Sequence, residues 1–182
     1  MSVEFSHINI EAPNIARVGF SLEEVRQWSD SDIYDMLDLS FAEGRYVFTA
    51  IEDTPENVSK LLDMFTCNRC ARCCTTIHYI ELSDEETQRI AGHMGTNFDS
   101  ICRRTELISG RRIVKAPCTF YQENTGCTVH QVKPDVCYRW PITQPVNRDN
   151  TKWIMINPWC DAALDLCRLV MQAWVRAARA AE

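Results

Sequence analysis

The stretch that decides how this chain folds is CNRCARCC, residues 67–74. Within it Cys67, Cys70 and Cys73 recur at every third position, and Cys74 follows at once. Two residues between cysteines let the backbone curl so that successive sulfurs converge on one centre, as in zinc knuckles and ferredoxin-type iron–sulfur sites. Zinc sites more often separate two pairs of thiols by many residues, so a run of three favours an iron–sulfur cluster. The stretch therefore predicts a metal centre built from thiolates.

Further cysteines lie beside turn-forming residues later in the chain, where loops can wrap around a metal. With the first four they make a set of candidate metal ligands: Cys67, Cys70, Cys73, Cys74, Cys118, Cys127, Cys137 and Cys160. Two centres of four thiolates, or one centre with the other thiols structural, both satisfy the spacing. Adjacent cysteines such as Cys73 and Cys74 generally point to different sides of the backbone. Either there are two centres, or one thiol of this pair does not bind metal.

The remaining cysteines and one histidine are assigned by their surroundings in the sequence. Cys102 and Cys167 fall on the apolar faces of predicted helices and are assigned to the core, because free cysteine is among the most buried residue types. His130 is a candidate ligand or cluster-tuning residue, although a lone histidine is more commonly a surface or hydrogen-bonding residue. Arg69 lies inside the ligand run, where a guanidinium group would offset the negative charge of a four-thiolate cluster.

Composition predicts a cytoplasmic protein of one compact unit. The chain has 182 residues, of which 46% are apolar, enough for a core without cross-links. Its N-terminus lacks a signal-peptide pattern, and no long uncharged apolar run predicts a membrane segment. Ten cysteines in a reducing compartment indicate metal binding, since disulfides are rare there. The alternative, five disulfides in a secreted chain, is disfavoured by the adjacent pair Cys73-Cys74.

The distribution of charge and the absence of catalytic motifs exclude several classes of function. Residues 1–66 carry 13 acids and 4 bases, whereas residues 67–182 carry 12 acids and 15 bases. The bases are interspersed with acids rather than clustered, so a nucleic-acid partner is not expected. We expect the acidic first third either to lie against the basic part of the chain or to meet a protein partner. The chain shows no nucleophile with its base, no Gly-rich phosphate loop and no HExxH helix, so it is not expected to be an enzyme on its own.

Capping and periodicity signals predict an α+β fold that is mostly helical. Helices are predicted from the capping box 21–24, over 33–41, from Thr54-Pro55, from the capping box 83–86 to Met94, over 98–107, and from a cap at Asp161 to the C-terminus; strands are predicted over 45–51, 75–82, 112–116 and 151–157. Prolines 117, 134, 141, 145 and 158 predict irregular loops. We expect an acidic helical extension, 1–60, and a cysteine-cluster domain, 61–182, whose small loop-rich metal-binding core has short strands and a long C-terminal helix.

The combined pattern resembles the YkgJ-like cysteine-cluster family with its CxxCxxCC signature. The resemblance covers 67–160 and rests on the run 67–74, on Pro117-Cys118, on Cys127 with Pro134-x-x-Cys137, and on Trp140-Pro141. It implies a zinc- or iron-chelating domain. The cysteine-rich part of flagellin lysine N-methylases is similar. His130 stands where the family usually has tyrosine, and Lys133 where it usually has arginine, so the surroundings of the ligands differ.

The first functional hypothesis is an intracellular protein that binds one or two iron–sulfur clusters of the 4Fe–4S type. Such a protein would act in electron transfer or in cluster delivery within a larger assembly. One alternative is a zinc-binding module that stabilises a protein-interaction surface. Another is a component of an enzyme like the lysine methylases.

Overall fold

The computed structural model describes residues 10–76, 79–148 and 150–181, and their fold is α+β and mostly helical, as predicted. These residues pack into two compact units. The first unit combines the chain up to Asn68 with the chain from Arg139 onward, and the second is Arg69–Tyr138. The predicted division into 1–60 and 61–182 concerns independent folding, which this packing does not test, and it stays a prediction.

The N-terminal part of the first unit consists of helices followed by one strand and one helix. Its elements are α1 (Ala12–Arg17), α2 (Leu22–Gln27), α3 (Asp30–Glu43), β1 (Val47–Glu52) and α4 (Pro55–Asp63). As predicted, Thr54 caps α4: its Oγ1 accepts a hydrogen bond of 3.2 Å from Asn57 N. The capping box predicted at Ser21 does not form, because Ser21 makes no side-chain cap bond. A capping box forms instead at Ser29, which caps α3 together with Asp32.

The second unit alternates short helices with short antiparallel strands. Its elements are α5 (Arg72–Thr76), β2 (Tyr79–Leu82), α6 (Asp84–His93), α7 (Phe98–Cys102), β3 (Glu106–Ile108), β4 (Arg111–Lys115), β5 (Tyr121–Gln122), β6 (Gly126–Cys127), a 3-10 helix (His130–Val132) and α8 (Asp135–Arg139). Strand order in its larger sheet is β2-β4-β3, and β5 pairs with β6. The capping box at Ser83 forms with Glu86, as predicted.

The chain then completes the first unit with β7 (Ile142–Arg148), β8 (Thr151–Ile156) and α9 (Asp161–Ala180). These strands join β1 in an antiparallel sheet of order β1-β8-β7. The long C-terminal helix is confirmed, but Asp161 is its first residue, and the N-cap position belongs to Cys160. Residues around Pro145 were expected to be irregular; instead they form the edge strand β7, whose pairing with β8 shifts register between Thr143 and Val146. An edge strand tolerates proline because one side needs no ladder hydrogen bond.

Two predicted elements of the second unit differ from the structure. The helix predicted over 98–107 ends at Cys102, and Glu106–Ile108 pairs with β4 as a strand. Cross-strand pairing here outweighs the local helical pattern. The strand predicted over 75–82 is a strand only in Tyr79–Leu82, since Thr75 and Thr76 end α5. Residues 77 and 78 of that prediction lie outside the described residues.

The core of the first unit forms between α9 and the sheet. Trp174 of α9 is 1% exposed, and its Nε1 donates a hydrogen bond of 2.7 Å to the carbonyl oxygen of Thr49. That carbonyl is available because β1 pairs irregularly with β8 between Phe48 and Glu52. The rings of Phe20, Trp28 and Trp174 pack together beside it, with centroids 5.1 to 6.2 Å apart. None of the helices in the described part of the chain is long and apolar enough to cross a membrane.

The core of the second unit has cysteines along its edge. Its buried members are Ile80, Leu82, Ile90, Ala91, Ile101, Val114, Phe120 and Val129. Cys118, Cys127 and Cys137 are partly buried and pack against this cluster. These three cysteines are spread over 20 residues of loops and short elements. They lie close to one another because their segments pack against the same apolar core.

Candidate metal centre

The first two thiols of the site come from α5, the helix that contains the end of the cysteine run. Cys73 Sγ and Cys74 Sγ lie 3.9 Å apart. The backbone enters this helix through left-handed conformations at Arg69 (φ 57°) and Ala71 (φ 63°), which non-glycine residues rarely adopt. Cys74 N donates to Ala71 O across 2.8 Å, closing the turn. The expectation that adjacent cysteines point apart fails here, because it presumes an extended backbone.

Cys118 is tied directly to this helix. Its backbone N–H donates a hydrogen bond of 2.8 Å to the carbonyl oxygen of Cys74. The Cys118 sulfur in turn accepts hydrogen bonds from the backbone of Phe120 and Tyr121. Backbone N–H donors aimed at a sulfur favour its thiolate form, the form that binds metal.

Cys127 is positioned by the β5–β6 hairpin, in which it lies opposite Tyr121. The adjacent Thr128 donates from both its N and its Oγ1 to the carbonyl oxygen of Phe120, at 2.9 Å each. This pair of bonds holds the loop of Cys118 against the strand of Cys127. The Cys127 sulfur accepts hydrogen bonds from the Cys74 thiol and from the backbone of Val129.

Cys137 lies on α8, and the start of α8 is fastened to α6. Glu86, 9% exposed, accepts a hydrogen bond of 2.8 Å from Asp135 N. Arg89 donates to the carbonyl oxygen of Lys133 at 3.2 Å and to Asp135 Oδ1 at 3.3 Å. Glu86 thus serves both the cap of α6 and the placement of Cys137. Sequence reasoning recognised only the first role, because the second depends on a contact 49 residues away.

The five thiols on this side of the second unit influence one another's ionisation. Hydrogen bonds join the thiol of Cys74 to those of Cys127 and Cys73, and they raise the pKa of Cys74 far above its ordinary range. The same bonds lower the pKa of Cys127 to about 6 and that of Cys73 to about 7. Burial raises the pKa of Cys137 to about 12 and also raises the pKa of Cys118. The cluster therefore contains two thiols that ionise easily and one that retains its proton as a donor.

Two cations lie close to these sulfurs. The Lys133 ammonium interacts favourably with the thiolates of Cys73, Cys127 and Cys137, and Arg69 does so with Cys127. The predicted role of Arg69 in offsetting thiolate charge agrees with this placement. Lys133 was noted in the sequence only as a departure from a family pattern. Its position six residues after Cys127 and four before Cys137 was the available signal.

The donor set fits a thiophilic metal, although the side chains do not form a finished coordination shell. Within residues 10–76, 79–148 and 150–181, no three Cys, His, Asp or Glu side chains are arranged to hold a metal ion. The thiols are instead neighbours joined in pairs by hydrogen bonds and charge interactions. All ten cysteines lie within the described residues, and none forms a disulfide. Closely spaced thiols are the donors that iron and zinc sites in proteins use.

The other three predicted ligands are Cys67, Cys70 and Cys160. Cys70 belongs to the second unit and is exposed. Cys67, half-buried, and Cys160, 5% exposed, belong to the first unit. Cys160 packs in the first core beside Cys167. The described contacts do not test the predicted role of Cys67, Cys70 or Cys160 as a ligand. The second centre that these residues could form stays a prediction.

The remaining sites follow their predictions in part. Cys167 is fully buried in the first core, as predicted, and burial raises the pKa of its thiol. Cys102 is half-buried rather than fully enclosed. His130 begins the 3-10 helix that follows Cys127, and its Nε2 is buried.

Comparison with known proteins adds a family relationship to this geometry. Residues 66–161, just over half of the chain, match the family CxxCxxCC, described as "Putative zinc- or iron-chelating domain". The match includes all five thiols of the cluster. No curated protein and no solved structure matches the chain.

Proposed function

Because this chain belongs to the CxxCxxCC family of zinc- or iron-chelating domains, we propose that it binds an iron–sulfur cluster and acts in electron transfer or cluster delivery. The observation that carries the proposal is the convergence of Cys73, Cys74, Cys118, Cys127 and Cys137 on one side of the second unit. Five thiols exceed the four that a tetrahedral zinc ion or one 4Fe–4S cluster binds. The CNRCARCC run, in which three thiols recur at every third residue, favours an iron–sulfur cluster over zinc, whose sites more often separate two pairs of thiols.

Four of these cysteines are proposed as ligands: Cys73, Cys118, Cys127 and Cys137. A metal ligand must be a thiolate, and Cys73 and Cys127 ionise most easily. Cys118 and Cys137 are buried, and a bound cation would supply the charge that makes their thiolates stable. Cys74 is proposed as a hydrogen-bond donor to the ligands, since hydrogen bonds join its thiol to Cys73 and Cys127 and raise its pKa.

When bound, a 4Fe–4S cluster takes up and releases single electrons at a potential set by its hydrogen bonds, charge and exposure. The chain provides each of these influences. Backbone N–H groups of Phe120, Tyr121 and Val129 donate to the sulfurs of Cys118 and Cys127. The side chains of Phe120 and Val129, 2% and 1% exposed, close the site off from water on its inner side. Lys133 and Arg69 add positive charge, which stabilises the reduced, more negative form.

Anaerobic reconstitution of the full chain with ferrous iron and sulfide tests the proposal. We expect visible thiolate-to-iron absorption, with iron and acid-labile sulfide in equal amounts. Single Cys→Ser substitutions at 73, 118, 127 or 137 are expected to abolish the absorption. Cys102→Ser is the matched control, because Cys102 is a half-buried thiol of the same unit outside the cluster. Equal loss in the control, or a colourless product with wild type, would reject the iron–sulfur assignment.

Structural zinc is the second candidate, favoured by the same backbone N–H donors, which suit a Zn–thiolate site equally well. In that case one zinc ion should bind per chain without sulfide. Chelation should then lower the melting temperature, because binding to a folded site contributes to folding free energy. Metal and sulfide analysis of protein purified without oxygen separates the two candidates directly.

We also propose a protein partner with a basic surface. The acidic residues of α2 and α3 are exposed: Glu23, Glu24, Asp30, Asp32, Asp35, Asp38 and Glu43. Clustered surface charge accelerates association with an oppositely charged partner and makes the rate sensitive to salt. Crosslinking in cell extract at low salt, repeated at high salt, is expected to show partners that are lost as salt rises. Partners retained equally with a chain whose α3 acids are changed to Asn or Gln would contradict the proposal.

A further inference from the structure

The strand β3 (Glu106–Ile108) is an exposed edge of the larger sheet in the second unit. Strand order is β2-β4-β3, and among the residues that the structure describes no strand pairs with the outer side of β3. All three of its residues are exposed, Leu107 to 72% and Ile108 to 42%. Proteins usually protect such edges with lysine, proline or a covering segment. Two adjacent aliphatic residues on an open edge leave β3 as a template for another extended segment.

The turn that ends β3 directs the backbone of Leu107 outward. Ser109 (φ 51°) and Gly110 (φ 77°) form a two-residue turn, and Ile108 lies directly opposite Arg111. Residues that flank such a turn exchange hydrogen bonds with each other, and bonded and non-bonded pairs then alternate along the two strands. The N–H and C=O groups of Leu107 therefore point away from β4, toward the position of an added strand.

An apolar cavity of about 580 Å³ lies on the open face of the same sheet. Tyr79, Ile108 and Ile113 provide its apolar surface, and Arg111 and Lys115 are among the charged residues that line it. The opposite face of the sheet packs into the core of the second unit. Alternate side chains of an extended segment project to the same face of a sheet. A segment added to β3 would thus place every second side chain beside Ile108 and this cavity, which suits a bulky apolar group.

The segment 103–115, which contains the β3–β4 hairpin, is basic. It carries five basic residues and one acidic residue. Arg103 and Arg104 are exposed, and neither forms an ion pair within the described part of the chain. Two cations directly before β3 therefore favour a segment that carries acids. The other three bases form ion pairs: Arg111 with Glu81, Arg112 with Asp84, and Lys115 with Glu106.

A second copy of the chain is less suited to this edge than an acidic segment. Antiparallel pairing of two β3 strands brings the start of one strand beside the end of the other. Arg103 and Arg104, which precede β3 in one copy, would then approach Arg111, which follows the turn in the other copy. Like charges brought together in this way weaken association.

We propose that β3 is a docking edge for an extended, acidic segment of a partner protein, which adds to the sheet as a further strand. Main-chain hydrogen bonds to Leu107 supply the pairing, and the cavity beside Ile108 receives a bulky apolar side chain. Arg103 and Arg104 select a segment with acidic ends. This surface lies within the second unit and needs no metal, so it is independent of the proposed iron–sulfur function and of the acidic surface on α2 and α3.

Nuclear magnetic resonance of the isotope-labelled, full-length, reduced protein tests the proposal with a pool of capped synthetic peptides about eight residues long. The central positions of the pool are drawn from Val, Ile, Leu, Phe, Tyr and Thr, and the end positions are Asp or Glu. We expect the amide resonances of residues 106–111 to shift as the pool is added. A control pool with Lys at the end positions should bind about 10-fold more weakly.

Two variants separate the main-chain contribution from the charge contribution. Leu107→Pro removes the outward N–H and spares the bonds between β3 and β4, because an edge strand tolerates proline where the nitrogen faces solvent. We expect L107P to bind the acidic pool about 10-fold more weakly than wild type. The double variant Arg103→Gln with Arg104→Gln changes no strand residue and should weaken binding to a similar extent. Val136→Ala is the control, because Val136 is an exposed aliphatic residue of the same unit outside the sheet.

Circular dichroism checks that each variant keeps its fold, and the double arginine variant decides the test if L107P does not. The proposal is overturned if the acidic pool leaves residues 106–111 unshifted, if both pools bind equally, or if folded variants bind as wild type does. Self-association of wild type that is lost in L107P would assign the edge to a second copy, which also overturns it. Sedimentation of wild type, but not of Leu107→Ala, with phosphatidylserine vesicles would overturn it in favour of a membrane surface.

Discussion

The backbone N–H of Cys118 donates to the carbonyl oxygen of Cys74 across 2.8 Å, joining two cysteines that are 44 positions apart in the sequence. This bond links the end of the CNRCARCC run to the first of the later candidate ligands. It is a backbone contact, so it survives substitution of either side chain. A Cys→Ser variant at either position should therefore lose a sulfur without losing the placement of the loop, which makes serine substitutions informative about metal binding.

Glu86→Ala is expected to lower both the stability of the protein and its affinity for metal. The Glu86 carboxylate accepts hydrogen bonds of 2.8 Å from Ser83 N and from Asp135 N. Losing two charge-assisted bonds at a buried group costs about 3 kcal/mol of unfolding free energy. Urea denaturation measures this loss. Glu85→Ala is the control, since Glu85 is exposed in the same helical turn and has no bond to Asp135 among the described contacts. Similar losses in both variants would contradict the role of Glu86 in placing α8.

Gly44→Ala is expected to destabilise the first unit strongly. Gly44 ends α3 with φ 66°, and a Cβ there would lie 2.6 Å from Cζ2 of Trp159. The left-handed conformation and the overpacking together cost about 2–4 kcal/mol. Gly92→Ala provides the contrast: Gly92 lies in α6, and a Cβ there meets nothing within 4 Å, so the helix gains about 0.5–1 kcal/mol. Thermal unfolding of the two variants should move in opposite directions, and a shared direction would count against this explanation.

Tryptophan-to-phenylalanine substitutions at two buried positions measure the contribution of one hydrogen bond to the free energy of unfolding. Trp174 Nε1 donates to Thr49 O, whereas Trp153 Nε1 is buried without a partner among the described residues. Both rings are at most 1% exposed, so both variants lose comparable packing. Trp174→Phe also leaves the Thr49 carbonyl unpaired, and we expect it to cost about 1–3 kcal/mol more than Trp153→Phe. Chemical denaturation of the pair measures the difference; equal costs would mean that the bond contributes nothing.

The pH dependence of thiol alkylation should distinguish the cysteines of the metal-free protein. Only the thiolate reacts, so a lowered pKa brings reactivity to lower pH and a raised pKa delays it. Cys127, with a pKa of about 6, is expected to be half reactive near pH 6. Cys137, with a pKa of about 12, should stay unlabelled at pH 8. Burial raises the pKa of Cys137, whereas the hydrogen bond with Cys74 lowers that of Cys127, and these two causes produce the expected difference. Peptide mass spectrometry after brief iodoacetamide treatment reads both sites, and a common pH profile would contradict the distinct environments.

Local signals in the sequence were sufficient for several helices and for the chemistry of the site. The caps at Thr54 and Ser83 depend on bonds between residues three apart, so a short window of sequence contains all of the information. The cap predicted at Ser21 failed although it has the same pattern, because a pattern permits a cap bond without enforcing it. The residue types of the cysteine run and of the later cysteines indicated thiolate chemistry without any coordinates.

Which thiols share a site was decided by tertiary structure alone. Cys70 and Cys73 are equivalent by spacing, yet Cys70 is exposed whereas Cys73 is half-buried beside Cys74, because α5 begins only at Arg72. The pairing of Glu106–Ile108 with β4, and the bond from Asp135 to Glu86, likewise join segments through contacts that no local pattern encodes. Thus the sequence by itself determined the kind of donor available to a metal. Packing of distant segments against the core around Phe120 and Val129 decided which of these cysteines lie close together. The reason is that burial of apolar side chains elsewhere in the chain determines which segments become neighbours.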